Sequence, residues 1–249
     1  MQTRVSIPGA VAALAVSLSI PCLAQPAASG PTMSRVQLVH VKLDMLNDWT
    51  DLQKNEVVPA LKKGGTRSRT VYQTNMGNGA EFLIVTPFNK FAEFDADGAQ
   101  LKALGAAANG RLVEKLRKTT DNNSNWIITQ LAALSTVNVN SLNAAKIVSV
   151  RLRLAPGKMD EFQNLFKAEM LPAYKKVKAD VTVTVRSLGA NPNDVTITSP
   201  IAKYADLDKG PPVVQALGPD GAAKLAQKFT GTGTIVEIVV RTRLADLSF

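Results

Sequence analysis

The chain of 249 residues contains one histidine, His40, and one cysteine, Cys22. One imidazole can serve as a general base or as a single axial ligand, but it cannot build a multi-histidine metal centre. No metal site is therefore expected. The arginines are more suggestive. In KIVSVRLRL, Arg151 and Arg153 alternate with Val150, Leu152 and Leu154; in IVEIVVRTRL, Glu237, Arg241 and Arg243 alternate with Val236, Ile238 and Val240. A period of two puts such cations on one face of a strand. They are either half of a site for an anion with an apolar body, or a polar interface in which Glu237 and nearby acids neutralise them.

Two further acids stand out. Glu56 and Glu169 each lie three residues before a proline, Pro59 and Pro172. Helical spacing places Glu169 near the face that carries Phe162 and Phe166. It is there either as a buried carboxylate with a raised pKa or as a group that satisfies a donor at a proline kink. Gly77-Asn78-Gly79 has the composition of a hairpin turn and does not resemble a phosphate loop.

The N-terminus orders a basic MQTR, an apolar VSIPGAVAALAVSLSI and a small-residue PCLAQ. This is the pattern of a secretory signal, residues 1–24, cut after Ala24. It predicts a periplasmic or secreted product with no stable membrane insertion after cleavage. The apolar run is short of the roughly 20 residues a spanning helix needs, and Pro21 before Cys22 makes a poor acylation box. Cleavage removes the cysteine, so packing alone must hold the mature fold. The net charge is +9, but its lysines and arginines are scattered among acids, and no aromatic-plus-basic sheet signature accompanies them. A nucleic-acid partner is not expected.

The elements that must position these groups are written twice. A constant offset of 113 positions lays NEVVPALKK (55–63) on AEMLPAYKK (168–176) and TPFNKFAEFD (86–95) on SPIAKYADLD (199–208). It also lays Ala103-Leu104-Gly105 on Ala216-Leu217-Gly218 and LAALS (131–135) on LADLS (244–248), with no gap between these anchors. The repeats are 34–136 and 147–249. A flexible stretch of 25–33 precedes them and a linker of 137–146 joins them. Each repeat alternates β-rich and amphipathic segments in the order β-α-β-β-α-β. In the doubled string, Pro87 is expected to end the third strand, Phe88, Phe91 and Phe94 to press a short helical turn onto the sheet, and Asp95 and Asp208 to cap helices. The fold class is α+β, as two tandem ferredoxin-like βαββαβ repeats.

The helix ending E-x-x-P-A-x-K-K, the hairpin ending T/S-P-F/I and the following F/Y-A-D/E-F/L-D resemble the dimeric α/β barrel superfamily. The likeness is greatest to its NIPSNAP-like and antibiotic-biosynthesis-monooxygenase-like branches. The resemblance implies an intrachain dimeric α/β barrel, with further oligomerisation left open. It also raises haem, which some members bind through a histidine; no cofactor is expected here, because His40 falls on a strand, opposite Arg153 in the second repeat. The first repeat has Leu38, His40, Trp126, Ile128 and Gln130 where the second has its cations. Binding of a small amphipathic or aromatic molecule is the leading functional reading, at His40, Tyr72, Trp126, Arg151, Arg153, Arg241 and Arg243. The resemblance implies a cofactor-independent monooxygenase as the alternative, with His40, Tyr72 and Trp126 in a pocket of the first repeat. A non-catalytic interaction module is the third reading.

Overall fold

The computed structural model describes residues 32–139 and 144–249. The secretory pattern, its cleavage site, Cys22 and the middle of the linker lie outside them. Among the described residues no helix is long and apolar enough to cross a membrane.

The first repeat runs β1 (Met33–Val41), α1 (Leu46–Leu52), α2 (Val58–Lys63), β2 (Thr70–Met76), β3 (Glu81–Phe88), α3 (Ala99–Thr119) and β4 (Thr120–Gln130). The second runs β5 (Lys146–Leu154), α4 (Met159–Leu165), α5 (Leu171–Lys176), β6 (Thr182–Leu188), β7 (Asp194–Ile201), α6 (Pro212–Lys228) and β8 (Gly233–Arg243). Each repeat orders its strands 4-1-3-2, as a ferredoxin-like unit does. Antiparallel pairing of β2 with β8 and of β4 with β6 then closes all eight strands into one barrel. Closure leaves no sheet edge unpaired, and it turns one face of each sheet inward while the helices cover the other.

The doubled strings acquire physical reasons. Gly105 and Gly218 interrupt α3 and α6 at φ 74° and 71°, a backbone region open to glycine and strained for other residues, so the helix bends at the same place in both repeats. Pro59 and Pro172 open α2 and α5 directly after single π turns, Gln53–Val57 and Phe166–Met170. The wider turn absorbs the missing proline donor. Glu56 and Glu169, one residue before the end of the π turn, are partly exposed and pair with Lys115 and Lys228 of the long helices, at 2.8 and 2.5 Å. Of the two readings, the buried carboxylate does not hold: each acid does meet a donor near the proline, but the donor is a lysine from a neighbouring helix rather than a backbone or arginine group.

Two other expectations change. β3 continues through Pro87 to Phe88, because β2 begins only at Thr70, opposite Val85, and only β1 flanks the strand beyond it. The capping carboxylates are Glu93 and Asp206, not Asp95 and Asp208. Glu93 Oε1 accepts the backbone N–H groups of Asn89 and Lys90, and Asp206 Oδ2 those of Ala202 and Lys203. An acid three residues into a turn can reach back to donors that an acid at its far end cannot. Phe88, Phe91 and Phe94 do cluster, with centroids 4.9–6.4 Å apart, although Phe91 and Phe94 stay about half exposed.

Each repeat has a core between sheet and helices. Trp49, Val71, Phe82 and Ile84 form the first, and Phe162, Phe166, Tyr174 and Val183 the second. The strings LAALS and LADLS explain how the cores are sealed, because they are exchanged. Leu134, at the end of the first repeat, is buried in the second core, and Leu247, at the end of the chain, is buried in the first. Backbone bonds hold the exchange: Leu131 N–H to Val183 and Thr136 N–H to Val181 on one side, Leu244 N–H to Val71 and Phe249 N–H to Arg69 on the other. The repeats therefore stabilise one another. Leu247→Ala is expected to cost about 2–5 kcal/mol and to loosen the core around Trp49, although it lies in the other repeat. Urea unfolding followed by tryptophan fluorescence and by far-UV circular dichroism should show one shifted transition, and separate transitions would contradict the interlock.

Candidate functional site

Strand alternation decides what the barrel interior contains. Val36 and Leu38 of β1, Leu83 and Val85 of β3, Trp126 and Ile128 of β4, and Tyr72 of β2 form one wall. The opposite wall is Ser149 and Arg151 of β5, Thr196 and Thr198 of β7, Thr184 and Arg186 of β6, and Glu237 and Arg241 of β8. At five matched positions the first repeat gives hydrocarbon where the second gives hydroxyls or charge: Val36 against Ser149, Leu38 against Arg151, Leu83 against Thr196, Val85 against Thr198, Ile128 against Arg241; Ser68, Thr70 and Ser124 on the first side and Ile147 on the second depart from the contrast. An eight-stranded barrel leaves room for its own side chains or for one small ligand. Here a cavity of about 330 Å³ remains between the two walls.

Two acids at equivalent positions anchor the charges. Asp194, at the start of β7 and 1% exposed, takes a bidentate grip from Arg153, with Nε to Oδ1 at 2.7 Å and Nη2 to Oδ2 at 3.0 Å. Arg151 Nη1 stands 3.3 Å from Oδ2 and Arg186 Nη1 3.6 Å from it. Burial alone would push the Asp194 carboxyl up, but the hydrogen bond from Arg153 and the charges of Arg153, Arg186 and Arg151 outweigh it and hold it below the usual value. Glu81, at the start of β3, is buried as well. Its Oε1 accepts from Arg241 Nη2 at 2.7 Å and from Thr74 Oγ1 at 2.9 Å. The Glu81–Arg241 pair crosses the seam between the repeats.

Arg151 Nε also reaches Glu237 Oε2 at 3.3 Å, the neutralised arrangement anticipated for these strands. The Arg186 guanidinium lies 4.3 Å from the centre of the Trp126 ring, a cation–π contact that joins the charged wall to the apolar one. Its Nε is buried and has no hydrogen-bond partner. Burial first, then the charge of Arg151, lowers the Arg186 pKa. Burial pushes the Tyr72 phenol up to about 12.

Of the seven residues singled out in the sequence, Tyr72, Trp126, Arg151 and Arg241 line this cavity. His40 does not. It sits beyond the cavity at the end of β1, with Nε2 3.6 Å from Glu81 Oε2 and Nδ1 3.4 Å from Asn78 Nδ2. Arg153 is half exposed and clamps Asp194 from the rim, and Arg243 lies opposite Tyr72 in the β2–β8 register. Sequence reasoning missed Glu81, Asp194 and Arg186. The two acids were visible as a pair at the repeat offset. Arg186 was hidden because β6 is shifted: the strand register matches Thr70 to Thr182 and Tyr72 to Thr184. The offset is one residue shorter there and returns to its value at Asp194, so the ungapped alignment fails across β6.

The cavity wall does not fit a haem. It holds no histidine, cysteine or methionine, and Tyr72, the one side chain of a type that can ligate haem iron, is held protonated by burial. Among the described residues no group of three or more His, Cys, Asp or Glu side chains could hold a metal ion.

Asp194 carries a stability prediction. Its pKa is depressed in the fold, so its contribution is complete above the unfolded carboxyl value of about 3.9 and is lost as pH falls through the lower folded value. Asp194→Asn strands three guanidiniums and is expected to cost about 3 kcal/mol at neutral pH. Urea titrations of both proteins across the acid range should converge as pH falls; a gap that stays constant with pH would contradict this account.

No protein-family model matches the chain, and no curated protein matches it. Solved structures do. An anthrone oxidase-like protein superposes with a TM-score of 0.58 at 9% identity, over 85% of this chain and 91% of that one. A protein provisionally assigned as a monooxygenase from Fusobacterium nucleatum subsp. nucleatum gives 0.57 at 12% identity, over 87% and 94%. A mutant chlorite dismutase from Candidatus Nitrospira defluvii, solved with cyanide, gives 0.50 at 8% identity, over 87% and 92%. At such identities the likeness is one of fold. The chain has the fold of the dimeric α/β barrel proteins, with both ferredoxin-like halves of the barrel in a single polypeptide.

Proposed function

We propose that this protein binds one small amphipathic or aromatic molecule inside its barrel. The observation that carries the reading is the divergence of the two walls around one cavity: hydrocarbon and an indole on the first-repeat side, hydroxyls and guanidiniums on the other. The volume of about 330 Å³ is at the lower end of the range for ligand pockets, roughly 300–1,000 Å³. Such a wall orients a molecule with an aromatic body and a polar end, and the Arg186–Trp126 contact supplies a flat cationic edge beside the aromatic position. The secretory pattern of the N-terminus supports a site of action in the periplasm or outside the cell.

Oxidation of a phenolic or quinol-like molecule is the second reading, favoured by the oxidase-like and monooxygenase-assigned proteins that share the fold. Binding stands ahead of it because the acids near the cavity are engaged by arginine, the Tyr72 phenol is a poor base, and His40 lies off the wall.

Titration with 1-naphthol, followed by tryptophan fluorescence, tests the proposal. Saturable quenching is expected in the native protein. It should weaken in Leu38→Phe, which narrows the cavity at a stability cost of about 1–3 kcal/mol and leaves the far-UV circular dichroism unchanged. Quenching that fails to saturate, or that keeps an unchanged affinity in Leu38→Phe, would overturn it. Dioxygen uptake with 1-naphthol that His40→Ala abolishes would move the assignment to the second reading.

A further inference from the structure

The outer face of the first-repeat sheet holds a second cavity, of about 1160 Å³, between β1, β3 and the helices. Its lining differs from that of the barrel cavity except at Ser68 and Pro87, which border both. On β1 the side chains alternate, with Val36 and Leu38 facing the barrel and Arg35, Gln37 and Val39 facing this cleft. Its floor is apolar: Trp49, Val57, Ile84 and Phe88 are all buried.

Two arginines stand in that apolar setting. Arg69, just before β2, is 3% exposed. Its Nη2 donates to Gln53 Oε1 at 2.7 Å, and its buried Nη1 has no hydrogen-bond partner. Arg35 also has a buried Nε with no partner. Burial first, then the charge of Arg35, lowers the Arg69 guanidinium to about 10, and burial lowers Arg35; among the described residues neither has a carboxylate partner. Glu93 borders the cleft, but its Oε1 is occupied by the backbone N–H groups of Asn89 and Lys90. Asp97, Lys90 and Lys102 lie exposed at the mouth. A buried guanidinium beside a second, partly buried one, each with an unmet donor, costs stability, so an architecture that keeps them calls for a compensating anion.

The second repeat is an internal control. Where the first has Arg35, Gln53 and Arg69, the second has Val148, Phe166 and Val181 at the matching register positions. There Phe166 and Val181 are fully buried in a packed core with Phe162 and Tyr174. One ancestral position set has thus become closed hydrocarbon in one copy and a cationic cleft in the other.

We propose that the first-repeat cleft binds an amphipathic carboxylate, its head held by Arg35 and Arg69 with Gln53 fixing the Arg69 fork, and its apolar body laid along Trp49, Ile84 and Phe88. A planar guanidinium matches a carboxylate in two parallel hydrogen bonds. An aliphatic tail accounts for the apolar floor, which a small inorganic anion would not use.

Calorimetric titration of the full chain with decanoate, 1-decanol and inorganic phosphate tests this. Decanoate is expected to bind more tightly than either of the others. Arg35→Val and Arg69→Val, which install the residues of the second repeat, should each weaken decanoate by about tenfold or more, the loss of a charge-assisted hydrogen bond, while leaving 1-decanol unaffected. Arg35→Val removes an unmet buried donor, so its ligand-free melting temperature should hold or rise, and this separates a lost site from a lost fold; Arg69→Val also strands the buried Gln53 Oε1 and should melt lower. Leu38→Phe, which narrows the barrel cavity, should leave decanoate binding intact. Equal binding of decanoate and 1-decanol, phosphate binding as tight as decanoate, unchanged decanoate affinity in both arginine variants, or its loss in Leu38→Phe would each overturn the proposal.

Discussion

Closure of the barrel is the constraint on which the rest of the structure depends. A single ferredoxin-like sheet has one bare face and two open edges, both costly in water. Pairing β2 with β8 and β4 with β6 removes the edges, and the exchanged turns at Leu134 and Leu247 seal the core of the opposite repeat. Neither repeat completes its own core, so the duplicated halves stay together even though much of their interior chemistry has diverged.

Closure also brings charges into the interior of the barrel. Asp194 and Glu81, equivalent acids at the starts of β7 and β3, make this tolerable. Each receives arginine side chains that an eight-stranded interior could not otherwise hold. The second repeat gathers three guanidiniums on its acid. The first leaves its acid to His40, to Thr74 and to Arg241 from across the seam. The charged wall thus belongs mainly to the second repeat, the apolar wall to the first, and the cavity lies between them. On the outer face the asymmetry is reversed, with unmatched cations in the first repeat and hydrocarbon in the second.

The fold was legible because duplication lets each strand be checked against its twin. Alternation in KIVSVRLRL correctly put Leu152 and Leu154 beneath the helices and Ser149 and Arg151 on the other face. The contrast of Leu38 with Arg151 and of Ile128 with Arg241 could be read at the same offset. What escaped was whatever depends on a single-residue shift or on contacts between distant segments. Moving β6 by one residue reverses which side chains face inward, so Arg186 was assigned no role although it bridges both walls. His40 drew attention through its chemistry, but only the register shows that it lies past the cavity, beside Glu81.

The sequence by itself determined the repeat, its order of strands and helices, and the fact that one copy supplies cations where the other supplies apolar groups, because periodicity and residue type are local properties of the chain. The tertiary structure alone decided that the copies exchange their terminal turns, that Asp194 and Glu81 organise the arginines, and that Arg35 and Arg69 meet without an acid between them. Those outcomes depend on strand register and on which surfaces closure brings together, and both are set by contacts between residues far apart in the chain.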